Sequence, residues 1–303
     1  MKTTLLAICL LSLVAGTDYA GAGESGAAFL KLPVDARAVA MGEAFTPQVQ
    51  GATSLYWNPA GLAKVPRFDL AAMHNVYLMS TFQDYAAGAY THPSWGSFGL
   101  SLNYWGSGSI SGTDSVGNNT GSFSANDLAV TGGYARKVGK NMSLGLGVKF
   151  ISEKNENASG TAFALDLGGL YEVPAQGLVL GASVSNLGSQ MKLVEKGYPL
   201  PLTFRAGGAY ALPKLPLRFA ADLTAPNDGS VSAGLGTEYL ATKMFALRAG
   251  YRTGSNLHGL SGLRAGAGFA YQGFGLDYAF APYGELGMAH RVSLSFHPVV
   301  ALP

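Results

Sequence analysis

Strict alternation of apolar and polar side chains recurs along this chain, and where it recurs the charges fall on one face only. From Ser143 the run SLGLGVKF sets Leu144, Leu146, Val148 and Phe150 against Ser143, Gly145, Gly147 and Lys149. Phe204, Ala206, Gly208 and Tyr210 likewise oppose Thr203, Arg205, Gly207 and Ala209. The same holds for Leu217–Leu223 against Arg218 and Asp222, Phe245–Tyr251 against Arg248 and Arg252, and Phe274–Phe280 against Asp277. A period of two is the period of a strand. One face of each run therefore needs apolar surroundings, while the other tolerates charge.

Those surroundings are the next question. Charged residues make up 13% of the chain and apolar residues 48%, against about 25% charge in an ordinary soluble domain. After the first residues, no stretch resembles the run of about 20 apolar residues that a spanning helix needs. A closed sheet is the remaining way to cross a bilayer, because it satisfies every backbone group between strands. Segments bounded by turn signals give about fourteen strands: 67–78, 84–92, 95–106, 124–137, 140–153, 158–173, 177–187, 201–213, 215–226, 229–241, 243–254, 261–272, 273–282 and 287–297. The fold class expected is all-β, a transmembrane antiparallel β-barrel. Junctions at 139–141, 213–214 and 227–229 are tight, whereas 107–123 and 188–200 read as long loops, which suits a barrel with short turns at one end. Tyr104, Tyr134, Tyr171, Tyr239, Tyr251 and Tyr271 lie near strand ends, where interfacial aromatic girdles form.

The organisation follows. Residues 1–22 read as a signal peptide, with Lys2, an apolar run from Leu5 to Val14, and the small-residue site Ala20-Gly21-Ala22. Cys9 lies within it, so the mature chain carries no cysteine. Residues 23–64 are expected to form a plug segment within the barrel, because they are rich in small residues around a single Arg37. They close on Asn58-Pro59-Ala60-Gly61, where Asn58 should be extended or in a turn and Gly61 should let the chain bend. The barrel is placed at 65–297 and a tail at 298–303. Removing Lys2 and Asp18 with the signal leaves 19 basic and 17 acidic residues, still +2. That balance gives no support for nucleic-acid binding.

Lipid-facing Arg or Lys costs about 2–4 kcal/mol at mid-depth, so the charged face is expected to line the lumen. The basic candidates are Lys149, Arg205, Arg218, Arg248, Arg252, Arg264 and Arg291, and the acidic ones are Asp166, Asp222, Glu238 and Asp277. They would form either a polar conduit or, for most of them, an ion-pair lattice that packs the interior. Arg37 needs an acidic or carbonyl partner there, with the four acidic residues as candidates. None of the five histidines has metal-ligand spacing with another, and Gly106–Gly112 reads as a loop with no helix after it. No catalytic residues, metal or cofactor are expected, and the chain is read as a non-enzyme.

Gly26-Ala27-Ala28-Phe29-Leu30, Ala36-Arg37-Ala38-Val39-Ala40-Met41-Gly42 and Asn58-Pro59-Ala60-Gly61-Leu62 together resemble the N-terminal signature of PorV/PorQ-type outer-membrane proteins, within the FadL-like barrel superfamily. The resemblance covers about forty residues. It implies fourteen strands, an N-terminal plug carrying Arg37, Gly42, Asn58, Pro59 and Ala60, and a bacterial outer-membrane location. It implies two functions: carriage of secreted proteins in a type IX-like system, which is the leading expectation, or transport of hydrophobic small molecules. A purely structural barrel is a further alternative. The partners implied are outer-membrane lipid, secreted protein cargo or a secretion-system barrel, or a hydrophobic small molecule. Two departures stand out. Gln50-Gly51 replaces an acidic pair usual in the signature, and residues continue past Phe296, where such barrels usually end on an aromatic.

Overall fold

The computed structural model describes residues 24–298 apart from 157, 175–176, 194 and 255–259. The expected signal peptide and residues 299–303 of the expected tail lie outside the described residues.

In chain order the strands are β1 (Phe68–Val76), β2 (Phe82–His92), β3 (Gly96–Gly106), β4 (Ile110–Thr113), β5 (Asn119–Phe123) and β6 (Ala125–Lys137). They continue as β7 (Met142–Asn155), β8 (Ala158–Glu172), β9 (Leu178–Gly188), β10 (Met191–Leu193), β11 (Lys196–Tyr198) and β12 (Thr203–Ala211). The last are β13 (Leu217–Pro226), β14 (Ser232–Leu240), β15 (Phe245–Arg252), β16 (Leu263–Tyr271), β17 (Phe274–Pro282) and β18 (Met288–Phe296). Fourteen of them close into one antiparallel ring, and β4–β5 and β10–β11 stand apart as two hairpins. β1 closes the ring by pairing with both β2 and β18: Leu70 faces Gly88 on one side and Phe296 on the other. The ring itself therefore has no edge strand, unlike the two hairpins.

Each expected strand run overlaps one ring strand, and the widest offset is 229 against the observed Ser232. The two long loops are corrected, since 107–123 contains β4–β5 and 188–200 contains β10–β11. β4 and β5 are exposed on both faces, so no apolar alternation arises to announce them. Connections 77–81, 107–124, 156–157, 189–202, 227–231, 253–262 and 283–287 share one end, here the loop end; the chain enters and leaves the ring at the other, the turn end. The tight 227–229 junction therefore belongs with the long connections, not opposite them.

The alternation decides which face is which. Leu144, Leu146, Val148 and Phe150 are exposed, whereas Ser143 and Lys149 between them are buried. Leu165, Leu167, Leu223, Leu235, Leu247 and Leu276 extend the exposed face around the ring, with Tyr134, Tyr171, Tyr239, Tyr251 and Tyr271 also outward. So large an apolar belt needs hydrocarbon, not water, around it. Outward charges near the rims correct the expectation that charge faces inward, and one set forms a pair. His74 and Asp84 pair at 2.6 Å on the outer wall, both half-exposed, close to the loop end. There the pair is near the rim and not at mid-depth, and the cost of charge falls toward the rim.

Candidate functional site

The interior is occupied. Residues 26–64 run inside the ring and are mostly buried, and their local structure follows from a few caps. Asp35 accepts from Arg37 N at 2.9 Å and starts the short helix Ala36–Ala40. Gly42 then adopts φ 64, a conformation that suits glycine. Asn58 is extended, one of the two conformations expected, but the motif does more than turn the chain. The Asn58 Oδ1 atom accepts from Ala60 N at 3.1 Å and Pro59 takes the first position of the 3₁₀ helix Pro59–Lys64. Gly61 is part of that helix and does not bend the chain. A Cβ there would strike Val49 and the Ser54 hydroxyl, so its role is close packing.

Polar groups of the wall meet this segment along its length. Arg37 donates from Nε and Nη2 to the two oxygens of Glu238, both at 2.8 Å. Glu238 also accepts from Arg218 Nη1 at 2.9 Å and Arg248 Nε at 2.7 Å, and Arg248 reaches Asp277 at 2.5 Å. Of the four acids expected as candidates for Arg37, Glu238 is the one in contact. Asp222 accepts from the backbone N–H groups of Phe45 and Thr46 at 3.0 and 2.8 Å. Asn58 Nδ2 donates to the carbonyls of Thr46 and Gly169 at 3.2 and 3.1 Å. Arg205 lies over the rings of Trp57 and Tyr56, 5.4 and 5.7 Å from their centroids. Arg252 pairs with Glu43.

The remaining candidates behave differently. Lys149 and Asp166 pair with each other at 3.0 Å, at a bulge where Asn186 takes φ 64 and Lys149 also donates to its side chain at 2.6 Å. Arg264 donates to the carbonyls of Ser261 and Leu263, and Arg291 forms no ion pair among the described residues. Among the described residues, ion pairs join the Glu238 cluster and Lys149 with Asp166, while Arg205, Asp222, Arg264 and Arg291 form none.

Several wall contacts went unnoticed in the sequence. Ser293 accepts from Ala36 N at 2.8 Å, Asp69 from Ala52 N at 2.7 Å and Glu153 from Ala27 N at 2.8 Å; Asp228 pairs with Lys31 at 2.6 Å. Inward glycines matter as much. A Cβ on Gly236 or Gly250 would collide with the Met41–Gly42 backbone, on Gly145 with Pro59, on Gly168 with Asn58, and on Gly181 with Pro47. The wall is bare where the segment lies against it. The available signal was glycine at inward positions of the alternation.

Space remains at the turn end. An open vestibule of about 480 Å³ is lined by Arg37, Gln50, Arg218, Glu238, Asp277 and His297 among others. A smaller cavity of about 70 Å³ continues inward past Asp35, Met73 and Tyr85. Burial, and then the charge of Asp277, raises the Asp35 carboxyl to about 6. His297 hydrogen-bonds Asp69, which holds its imidazole above the usual value despite the opposing effect of burial. The large apolar hollow, about 680 Å³, lies on the outer wall over Ala72, Ala86 and Gly88 and not in the lumen.

No protein-family model matches the chain, and no curated protein matches it. Solved structures do. The Pseudomonas putida toluene transporter TodX is 15% identical with a TM-score of 0.62, over 92% of this chain and 99% of that one. The Ralstonia pickettii toluene transporter TbuX is 14% identical with a TM-score of 0.62, over 86% and 96%. A Pseudomonas aeruginosa FadL homologue is 12% identical with a TM-score of 0.59, over 88% and 99%. At these identities the likeness is one of fold, a FadL-like barrel.

Proposed function

We propose that this chain is an outer-membrane barrel that passes small hydrophobic molecules, with residues 26–64 acting as a plug that must shift to let them through. The observation that carries this is the combination of a closed fourteen-strand ring with an apolar outer belt and an interior segment held by polar contacts. Apolar side chains of the segment also pack on the wall, Phe45, Leu55, Trp57 and Leu62 with Met73, Tyr85 and Ala89 among them, so the shift has to part both kinds of contact. The fold likeness to toluene transporters supports the transporter reading of the sequence over the protein-carrier one. The carrier reading has only the PorV/PorQ-like motifs behind it. A hydrocarbon channel also needs no catalytic group, in keeping with the non-enzyme reading.

The test has two arms. Expression of the chain should speed uptake of radiolabelled toluene into cells, relative to a strain lacking it. Deleting 26–55 while keeping the signal and the strands should leave a barrel that inserts, with raised conductance in planar bilayers. Uptake equal to the control strain rejects the transport reading. Conductance unchanged by the deletion rejects the plug.

A further inference from the structure

At the loop end, the wall from β15 to β18 brings three guanidiniums into the lumen without a wall carboxylate paired to any of them. Arg252 on β15, Arg264 on β16 and Arg291 on β18 all face inward near that end. Among the described residues one ion pair reaches the trio, Arg252 with Glu43. Arg264 uses Nη1 on the carbonyls of Ser261 and Leu263 at 2.6 and 2.8 Å, and its buried Nε has no partner. Arg291 is 0% exposed, and among the described residues it meets the Tyr283 hydroxyl but forms no ion pair. A guanidinium stays protonated at any pH the protein meets. A buried guanidinium with no counter-charge among the described residues is costly, and a bound anion would offset that cost.

We propose that Arg291, Arg264 and Arg252 form a binding site for one small oxyanion, a carboxylate or phosphate. The forked donors of arginine match the paired oxygens of either group. Tyr77 and Tyr283, on the loop-end connections, meet edge-on at 5.6 Å, and the Arg264 guanidinium lies 5.2 Å from the centre of the Tyr283 ring. Both tyrosines are half-buried where Arg291 is fully buried. They separate it from the loop end, and the anion reaches Arg291 when the two rings part. Because the ring of strands is closed, the ligand is a solute entering from the end and not the headgroup of a surrounding lipid. The site does not depend on passage of hydrophobic molecules.

The experiment uses the full mature protein in non-ionic detergent. The temperature at which it loses its fast-migrating, unheated form on SDS gels is followed in sodium benzoate, sodium phosphate and sodium chloride at equal ionic strength. Benzoate or phosphate should raise that temperature in a saturable way, and whichever does so identifies the group bound. Arg291→Gln should abolish the rise. Arg264→Gln should raise the half-saturating concentration by about tenfold or more. If Arg291→Gln does not fold, wild type and Arg264→Gln decide the matter. Equal temperatures in all three salts for wild type, or an undiminished response in Arg264→Gln, overturn the site.

Discussion

Replacing Glu238 with Gln keeps the shape of the side chain and removes the charge that three guanidiniums share. The Glu238 side chain is 2% exposed, and Arg248 keeps a second carboxylate, Asp277, at 2.5 Å. Arg218 is 35% exposed at its side chain and can turn to water, so the loss falls mainly on Arg37, which is 18% exposed. Breaking a buried pair costs about 3–5 kcal/mol. Partial solvent access to Arg37 and the remaining amide oxygen place this case near the lower end, about 3 kcal/mol. That is roughly a hundredfold in the balance between docked and released segment. Trypsin reads the balance directly, since the Arg37–Ala38 bond is protected only while the segment is docked. With reclosing faster than cleavage, the rate follows the released fraction. Glu238→Gln should therefore be cut after Arg37 about a hundredfold faster, in a barrel that still migrates as folded. If the variant resists trypsin as wild type does, the Glu238 cluster is not what holds the segment.

Two further outcomes follow. Leu146→Arg puts a charge on the outer belt at mid-strand and should cost about 2–4 kcal/mol, whereas Gly147→Ser faces inward with modest room; assembly yields in the outer-membrane fraction should fall for the first and hold for the second, and equal yields would reverse the face assignment. Asp35 supplies a pH dependence. Its carboxyl is raised from 3.8 to about 6, so its contribution to stability is complete below 3.8 and is lost as pH rises through 6, by roughly 3 kcal/mol. His297, also raised, acts in the same direction. The thermal midpoint of the folded form should be higher at pH 5 than at pH 8, and Asp35→Asn should flatten that slope; an unchanged slope in the variant assigns it elsewhere.

The ring was legible because its two faces meet different solvents. Leu146 beside Gly147, or Leu247 beside Arg248, states inside and outside without any alignment. β4–β5 was not legible, because a hairpin exposed on both faces has no reason to alternate. Arg37 could be recognised as needing a carboxylate, but the selection of Glu238 depends on where the ring brings β14 against the segment, which local pattern does not encode. Asp69, Ser293 and Glu153 sit at inward positions like many others, and only the path of the segment makes them acceptors. The inward glycines stand in the sequence only as members of the face opposite the apolar one. Their meaning appears once Met41, Pro47 and Pro59 lie against them.

The ring closes between its first and last strands, and that sets a timing on assembly. Leu70 pairs with Phe296, a separation of 296 − 70 = 226 positions. Arg37 meets Glu238 across 201 positions. Contacts at such distances carry the largest loop-closure entropy in the chain. Residues 26–64 precede β1, yet they bond to β9, β13, β14 and β18. The segment can therefore settle on the sheet while the sheet is still open, before the last strands close over it.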